Sequence, residues 1–151
     1  MRRKRRQVLL AAAGLIFLLF FLMEFRVVVV HGDSMLPAYH DGQTVMVNQL
    51  SIFGRRWKRG EVVLIRANNE VLIKRIYRLP GETLSLSESR KFQGVKEFFE
   101  PTKRKDAPFR VPPGYVVVLG DNSAVSDDSR NFGPVKVADV LGSVINAPAI
   151  K

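Results

Sequence analysis

Three stretches of this chain hold side chains able to do covalent chemistry. In Gly32-Asp33-Ser34-Met35-Leu36-Pro37 a β-branched run ends, and the glycine before and proline after Ser34 favour a turn that presents its hydroxyl at a strand end. In Val71-Leu72-Ile73-Lys74-Arg75-Ile76-Tyr77 the strand period of two puts Leu72, Lys74 and Ile76 on one face. A lysine on an apolar face loses hydration, its pKa falls, and a neutral amine becomes available as a base. The third stretch, Gly120 to Gly133, is dense in Ser, Asp and Asn, residues that cap, turn and bond their own backbone. Each has a plainer reading when taken alone: a turn serine, an edge lysine that snorkels, a structural Asx/Ser loop. Cysteine is absent, which excludes disulfides, thiolate metal sites and a cysteine nucleophile. Only His31 and His40 could serve a Ser–His–Asp triad.

The elements that must position these residues read as β. Val27–Val30 is a continuous β-branched run, and Thr44–Val47 leads to Asn48 near a turn. Glu61–Ile65 and Val71–Tyr77 flank Ala67-Asn68-Asn69-Glu70, a hairpin connection. Tyr115–Leu119 follows Pro112-Pro113-Gly114, and Leu141–Ile145 comes after the last loop. Residues 88–110 mix charge, phenylalanine and proline and read as a long exposed excursion. The expected fold class is therefore mainly β: a small, mostly antiparallel sheet domain behind an N-terminal helix.

That helix reads as a membrane anchor. Val8 to Met23 is uncharged and rich in Leu and Phe; its length of about 16 residues gives roughly 24 Å of helix against a hydrocarbon core of about 30 Å. Gln7, Glu24 and Phe25 extend it into the interfaces. A cleaved leader is the rival reading, but Met23-Glu24-Phe25-Arg26 offers no small-x-small site. Half of the +10 formal charge lies in residues 2–6, directly before the apolar run, as the positive-inside rule requires. The remaining charge is scattered and lacks an aromatic-rich recognition signature, which argues against nucleic acid as partner. The expected organisation is a basic cytoplasmic tail over 1–7, a single transmembrane anchor over 8–25, and an extracytoplasmic domain over 26–151.

Taken together, the three stretches resemble, in order and spacing, the conserved boxes of the type I signal peptidases. Ser34-Met35-Leu36-Pro37 is similar to the S-M-x-P box. Lys74 to Glu82 is similar to K-R-x-x-G-x-P-G-D, and Gly120 to Gly133 to G-D-N-x-x-x-S-x-D-S-R-x-x-G. The resemblance covers nearly the whole chain and is closest to the compact, single-anchor, Gram-positive type. It implies a membrane-bound serine endopeptidase with a Ser34–Lys74 dyad, a largely β catalytic core and no metal or cofactor. Its substrates would be the signal peptides of exported preproteins, cut after small residues at −1 and −3. Ser126 would bond and orient the Lys74 amine, and Asp128 and Arg130 would form a supporting ion pair with Arg75 nearby. The Ser34 N–H would be one oxyanion donor. Val30, Met35, Leu72 and Ile73 flank the dyad and are the candidates for the shallow pockets. Gly32 stands where some relatives have a serine that completes the oxyanion hole. Arg78 replaces a box glycine, Ala38 a threonine, and Glu61 and Glu82 replace aspartates. These departures leave room for a peptidase dedicated to one partner. A non-enzymatic scaffold would not need both catalytic residue types, and a self-cleaving repressor would need a DNA-binding segment where Val8–Met23 stands.

Overall fold

In the computed structural model, which describes residues 2–49, 56–92, 94 and 108–145, helix α1 covers Arg2–Glu24. Its 23 residues correspond to about 35 Å. The described apolar side chains along it, Val8, Leu9, Leu10, Leu15, Ile16, Phe17, Leu18 and Leu19, are all at least half exposed. Among the described residues, which leave out the side chains at 20–23, no helix is long and apolar enough to cross a membrane. The expected step between a tail at 1–7 and an anchor at 8–25 is not a break in the backbone. Arg and Lys are good helix formers, and residues 2–7 belong to the same helix. Phe25 is instead the first residue of β1, paired with Asn48.

Among the described residues nine strands follow: β1 Phe25–Val29, β2 Thr44–Asn48, β3 Val62–Ala67, β4 Glu70–Arg78, β5 Thr83–Leu84, β6 Phe109–Arg110, β7 Tyr115–Leu119, β8 Val135–Lys136 and β9 Val140–Val144. Seven form one sheet in the order β1-β2-β9-β3-β4-β7-β8, while β5 and β6 pair separately. Every pairing is antiparallel. Four successive antiparallel steps separate β1 from β4, so these two strands run in the same direction. The β3–β4 hairpin turns at Asn68 and Asn69, which take φ of 50° and 63°. Asparagine tolerates this left-handed region, and two such residues in succession match the right-handed twist of the flanking strands.

The sheet buries both faces at its centre, as its Val/Ile-rich strands require. Alternation along β3 and β4 sorts side chains into two clusters. Val62, Leu64 and Ile73 join Val30, Met35, Tyr39, Val45, Val47 and Val144. Val63, Ile65, Leu72 and Ile76 join Val116, Val118, Val135 and Val140. A third cluster of Leu84, Phe92, Val111 and Val117 lies by the small sheet. Phe92, at 3% exposure, corrects the expectation of a wholly exposed excursion over 88–110: an aromatic ring in that segment has apolar surface to cover. Residues 93 and 95–107 of that stretch lie outside the described residues.

Candidate active site

The turn after β1 holds Ser34. Next to it, Met35 is almost fully buried and its carbonyl accepts the Tyr39 N–H at 3.0 Å, which pins the turn to the core while Ser34 stays half-buried. The Ser34 carbonyl accepts the Asn122 N–H at 3.0 Å, tying the turn to the Gly120–Gly133 loop. That approach needs glycine at 120: a Cβ there would sit 2.5 Å from the Ser34 carbonyl oxygen and 2.2 Å from Ser126 Oγ.

Lys74 lies opposite Val63 in the β3–β4 register and is only 2% exposed. Its Nζ is 3.0 Å from Ser34 Oγ. Burial pulls the Lys74 pKa below its ordinary value, against the opposing pull of the Asp128, Asp127 and Asp121 carboxylates, and Arg130 lowers it further. The strand supplies a rigid stem, and the desolvation follows from the almost complete burial of the side chain.

Asp128 is completely buried and fully partnered. Its Oδ2 accepts from Gly120 N–H at 3.0 Å, Ser126 Oγ–H at 2.8 Å and Arg130 Nη2 at 2.7 Å; its Oδ1 accepts from Arg130 Nε at 2.9 Å and the Arg130 N–H at 3.1 Å. It also caps the single-turn helix Ser129–Phe132. Burial pushes its carboxyl pKa up, but the Arg130 side chain, the Gly120 and Arg130 N–H groups and the Ser126 hydroxyl outweigh that and hold it below the usual range. The Asp128–Arg130 pair thus has the expected partners. Ser126 does not: its hydroxyl donates to Asp128 rather than bonding Lys74, because a buried carboxylate is the stronger acceptor.

Arg75, expected only to lie near the Asp128–Arg130 pair, has a carboxylate partner of its own. Its guanidinium grips Asp121 through two bonds, Nε to Oδ1 at 2.9 Å and Nη2 to Oδ2 at 2.7 Å, and its Nη1 donates to the Gly60 carbonyl at 2.7 Å. This fork-to-fork pair braces β4, the Gly120 loop and the approach to β3 separately from the Asp128–Arg130 pair. Asp121 was absent from the sequence reading. The signal for it was present: a strand arginine beside a buried lysine needs a carboxylate, and Gly120-Asp121-Asn122 supplies one.

Tyr39, in the turn that follows Ser34, was also missed. It is 3% exposed and its hydroxyl has no hydrogen-bond partner among the described residues. Burial raises its pKa, with Arg75 opposing. A buried hydroxyl without a partner costs free energy, so Tyr39→Phe is expected to raise stability by about 1 kcal/mol, read as the urea midpoint at unchanged slope.

The Arg78 departure has a structural account. Its guanidinium lies 4.0 Å from the Tyr77 ring centroid and donates to Glu88 at 2.6 Å. Glu88 is drawn down to about 2, first by the Tyr77 hydroxyl and then by Ser85 and Arg78. Arg78 therefore staples β4 to helix α2, Leu86–Ser89.

A cavity of about 540 Å³ opens beside the Ser34–Lys74 pair, between Val28–His31, Ser34 and Met35 on one wall and Leu64 and Glu70–Lys74 on the other. Val30, Met35, Leu72 and Ile73 all line it. The sequence reading did not single out Glu70 or the part of His31 in this wall. Among the described residues no group of three or more His, Asp or Glu is placed to hold a metal ion. The arrangement offers a desolvated amine, a hydroxyl in reach of it, and an apolar cleft for an extended peptide.

Residues 3–147 match the family model described as signal peptidase, peptidase S26. Signal peptidase I V of Bacillus subtilis (strain 168) is 30% identical over 138 residues, 78% of this chain and 82% of its own. Signal peptidase I of Bacillus caldolyticus is 32% identical over 143 residues, 82% of this chain and 79% of its own. The crystal structure of a signal peptidase I from Enterococcus faecalis V583 aligns with a TM-score of 0.42 at 30% identity, over 59% of this chain and 97% of that one. On its sequence match over almost its entire length, the chain belongs to the signal peptidase family, peptidase S26.

Proposed function

We propose that this chain is a membrane-bound serine endopeptidase that removes signal peptides by Ser–Lys dyad chemistry. The observation that carries the reading is the 3.0 Å separation of Lys74 Nζ and Ser34 Oγ with the lysine buried. Neutral Lys74 takes the Ser34 proton as Oγ attacks the scissile carbonyl. The tetrahedral intermediate collapses, the C–N bond breaks, and the leaving amine takes the proton from the Lys74 ammonium. Water activated by the same amine then hydrolyses the acyl-enzyme. The Ser34 N–H is one oxyanion donor. The Gly32 N–H is not a second, since it already donates to Asp41 Oδ1 at 2.7 Å.

Ser126, Asp128, Arg130 and Arg75 act as supports. Asp128 fixes Ser126 and Arg130, and Arg75 with Asp121 braces the strand that carries Lys74. Val30, Met35, Leu72 and Ile73 form the apolar walls suited to small −1 and −3 side chains. Helix α1 is the anchor: its exposed Leu, Ile and Phe side chains from Val8 to Leu19 need an apolar surrounding that the domain does not supply, and the basic residues 2–6 hold its start on the cytoplasmic side. The domain from Phe25 onward then lies outside the cell.

The test is cleavage of a preprotein bearing an Ala-x-Ala site by the full chain in detergent. Wild type is expected to release the mature protein, and Ser34→Ala to fall to background. Undiminished cleavage by Ser34→Ala would remove Ser34 from the mechanism.

A further inference from the structure

The cleft has a polarity that the dyad alone does not explain. Its two walls come from Val28–His31 and from Glu70–Lys74, segments of β1 and β4 that run in the same direction. Ser34 follows one wall and Lys74 ends the other, so both walls lead toward the dyad. The opposite end of the cleft is formed by Val28 and Glu70. Strand β1 starts directly where α1 stops, and Gln49 N–H bonds the Glu24 carbonyl at 2.8 Å, so that end is the one nearer the helix.

Among the described residues Glu70 is the one acidic residue lining the cleft, whose other titratable members there are His31 and Lys74. It is exposed, and among the described residues its carboxylate has no ion-pair or hydrogen-bond partner. Four residues of strand separate it from Lys74, or about 13 Å at roughly 3.3 Å per residue. An extended peptide with its scissile bond at Ser34 spans that distance in about four residues. If it enters from the helix end, the residue at Glu70 precedes the cleaved bond.

We propose that Glu70 is a specificity-determining residue that favours a cationic side chain about five residues before the cleaved bond. This rests on the peptidase reading and adds a charge rule to it. The sign is informative. Beyond the basic residues 2–6, which carry half of the formal +10, the rest of the chain carries the other half, so its field favours acidic peptides. A preference for a cation at one position must therefore come from a local carboxylate.

The experiment compares peptides with an Ala-x-Ala site and either Lys or Glu at −5, with the same pair at +4 as control, cut by the full chain in detergent at one pH. An exposed ion pair is a modest effect, so wild type is expected to favour Lys over Glu at −5 by about 3- to 5-fold in kcat/KM. Glu70→Gln should erase the preference and Glu70→Lys invert it. About 1 M salt should flatten it. Equal cleavage of the −5 pair by wild type overturns the inference and leaves the peptidase reading standing. A preference at +4 instead would show that the peptide runs the other way and equally overturns it. A preference that survives Glu70→Gln assigns it to another group. Cleavage of no peptide overturns the peptidase reading and this inference with it.

Discussion

Lys74→Met is expected to abolish peptide cleavage and at the same time make the protein more stable. Loss of the general base from a Ser–Lys pair should cost on the order of 10^4-fold in kcat, because the Ser34 hydroxyl has no other base in bonding distance among the described residues. The stability gain has a separate origin. Methionine retains most of the aliphatic stem that packs in β4 and discards an amine that is 2% exposed. Replacing such a group by an apolar side chain of similar volume gives roughly 1–3 kcal/mol. The pH dependence follows from the lowered pKa of Lys74, which burial causes. Below the folded-state pKa, both folded and unfolded chains hold the proton and the cost of burying the charge is at its maximum. Between the folded-state pKa and the ordinary value near 10.4, the unfolded chain holds more protons, so wild-type stability rises with pH. The advantage of Lys74→Met should therefore be largest at neutral pH and shrink on the alkaline side. Wild-type kcat should rise over the same window as the amine becomes neutral. Urea titrations of both proteins from pH 6 to 10, with a kcat profile, test all of this. A flat kcat profile, or a methionine variant less stable at neutral pH, would refute the desolvated-base account.

Asp128→Ala is expected to be the most damaging single substitution for the fold. It would strip five hydrogen bonds from a carboxylate of 0% exposure. The Gly120 N–H and the Arg130 guanidinium would be left without their acceptor, and the helix Ser129–Phe132 would lose its cap. Breaking a buried, hydrogen-bonded ion pair from one side costs about 3–5 kcal/mol, the cap included. That is a large share of the total stability of a single domain. Calorimetry should show a fall in Tm on the order of 15 °C. Asp128→Asn keeps a capping oxygen and should fall less. The carboxylate also sets an acid limit: its depressed pKa means that its contribution is complete above the ordinary aspartate range and is lost as pH falls through the folded value. Wild type should therefore lose more stability on acidification than Asp128→Asn.

Much of the sheet was legible because its signals are local. Tyr115–Leu119 has the same bounds in sequence and structure, and the Asn68-Asn69 turn is where two adjacent asparagines predict it. The two-residue strands β5, β6 and β8 were not legible, since two residues carry no periodicity. Nor was the partner of Arg75. Asp121 and Asp128 stand at either end of one loop, and only the path of the backbone decides which of them meets β4. Ser126 illustrates the same limit: its spacing from Asp128 allowed a bond along the loop or across to Lys74, and the strength of the acceptor decided. The Lys74 environment was partly readable. The alternation of Leu72 and Ile76 foresaw one apolar flank, but both faces of β4 are covered at its middle.

The position of β9 bears on when this protein can act. Val140–Val144 is the last described strand, yet it lies in the middle of the sheet, paired to β2 on one side and β3 on the other. Ser34 adjoins the β1–β2 pair and Lys74 belongs to the β3–β4 pair. Each pair forms from neighbouring sequence, but among the described strands β9 is the one that joins the two within the sheet. A ribosome-bound chain that has extruded both residues still lacks the strand that brings them into register. Assembly of the Ser34–Lys74 pair within the sheet thus waits until β9 has been made.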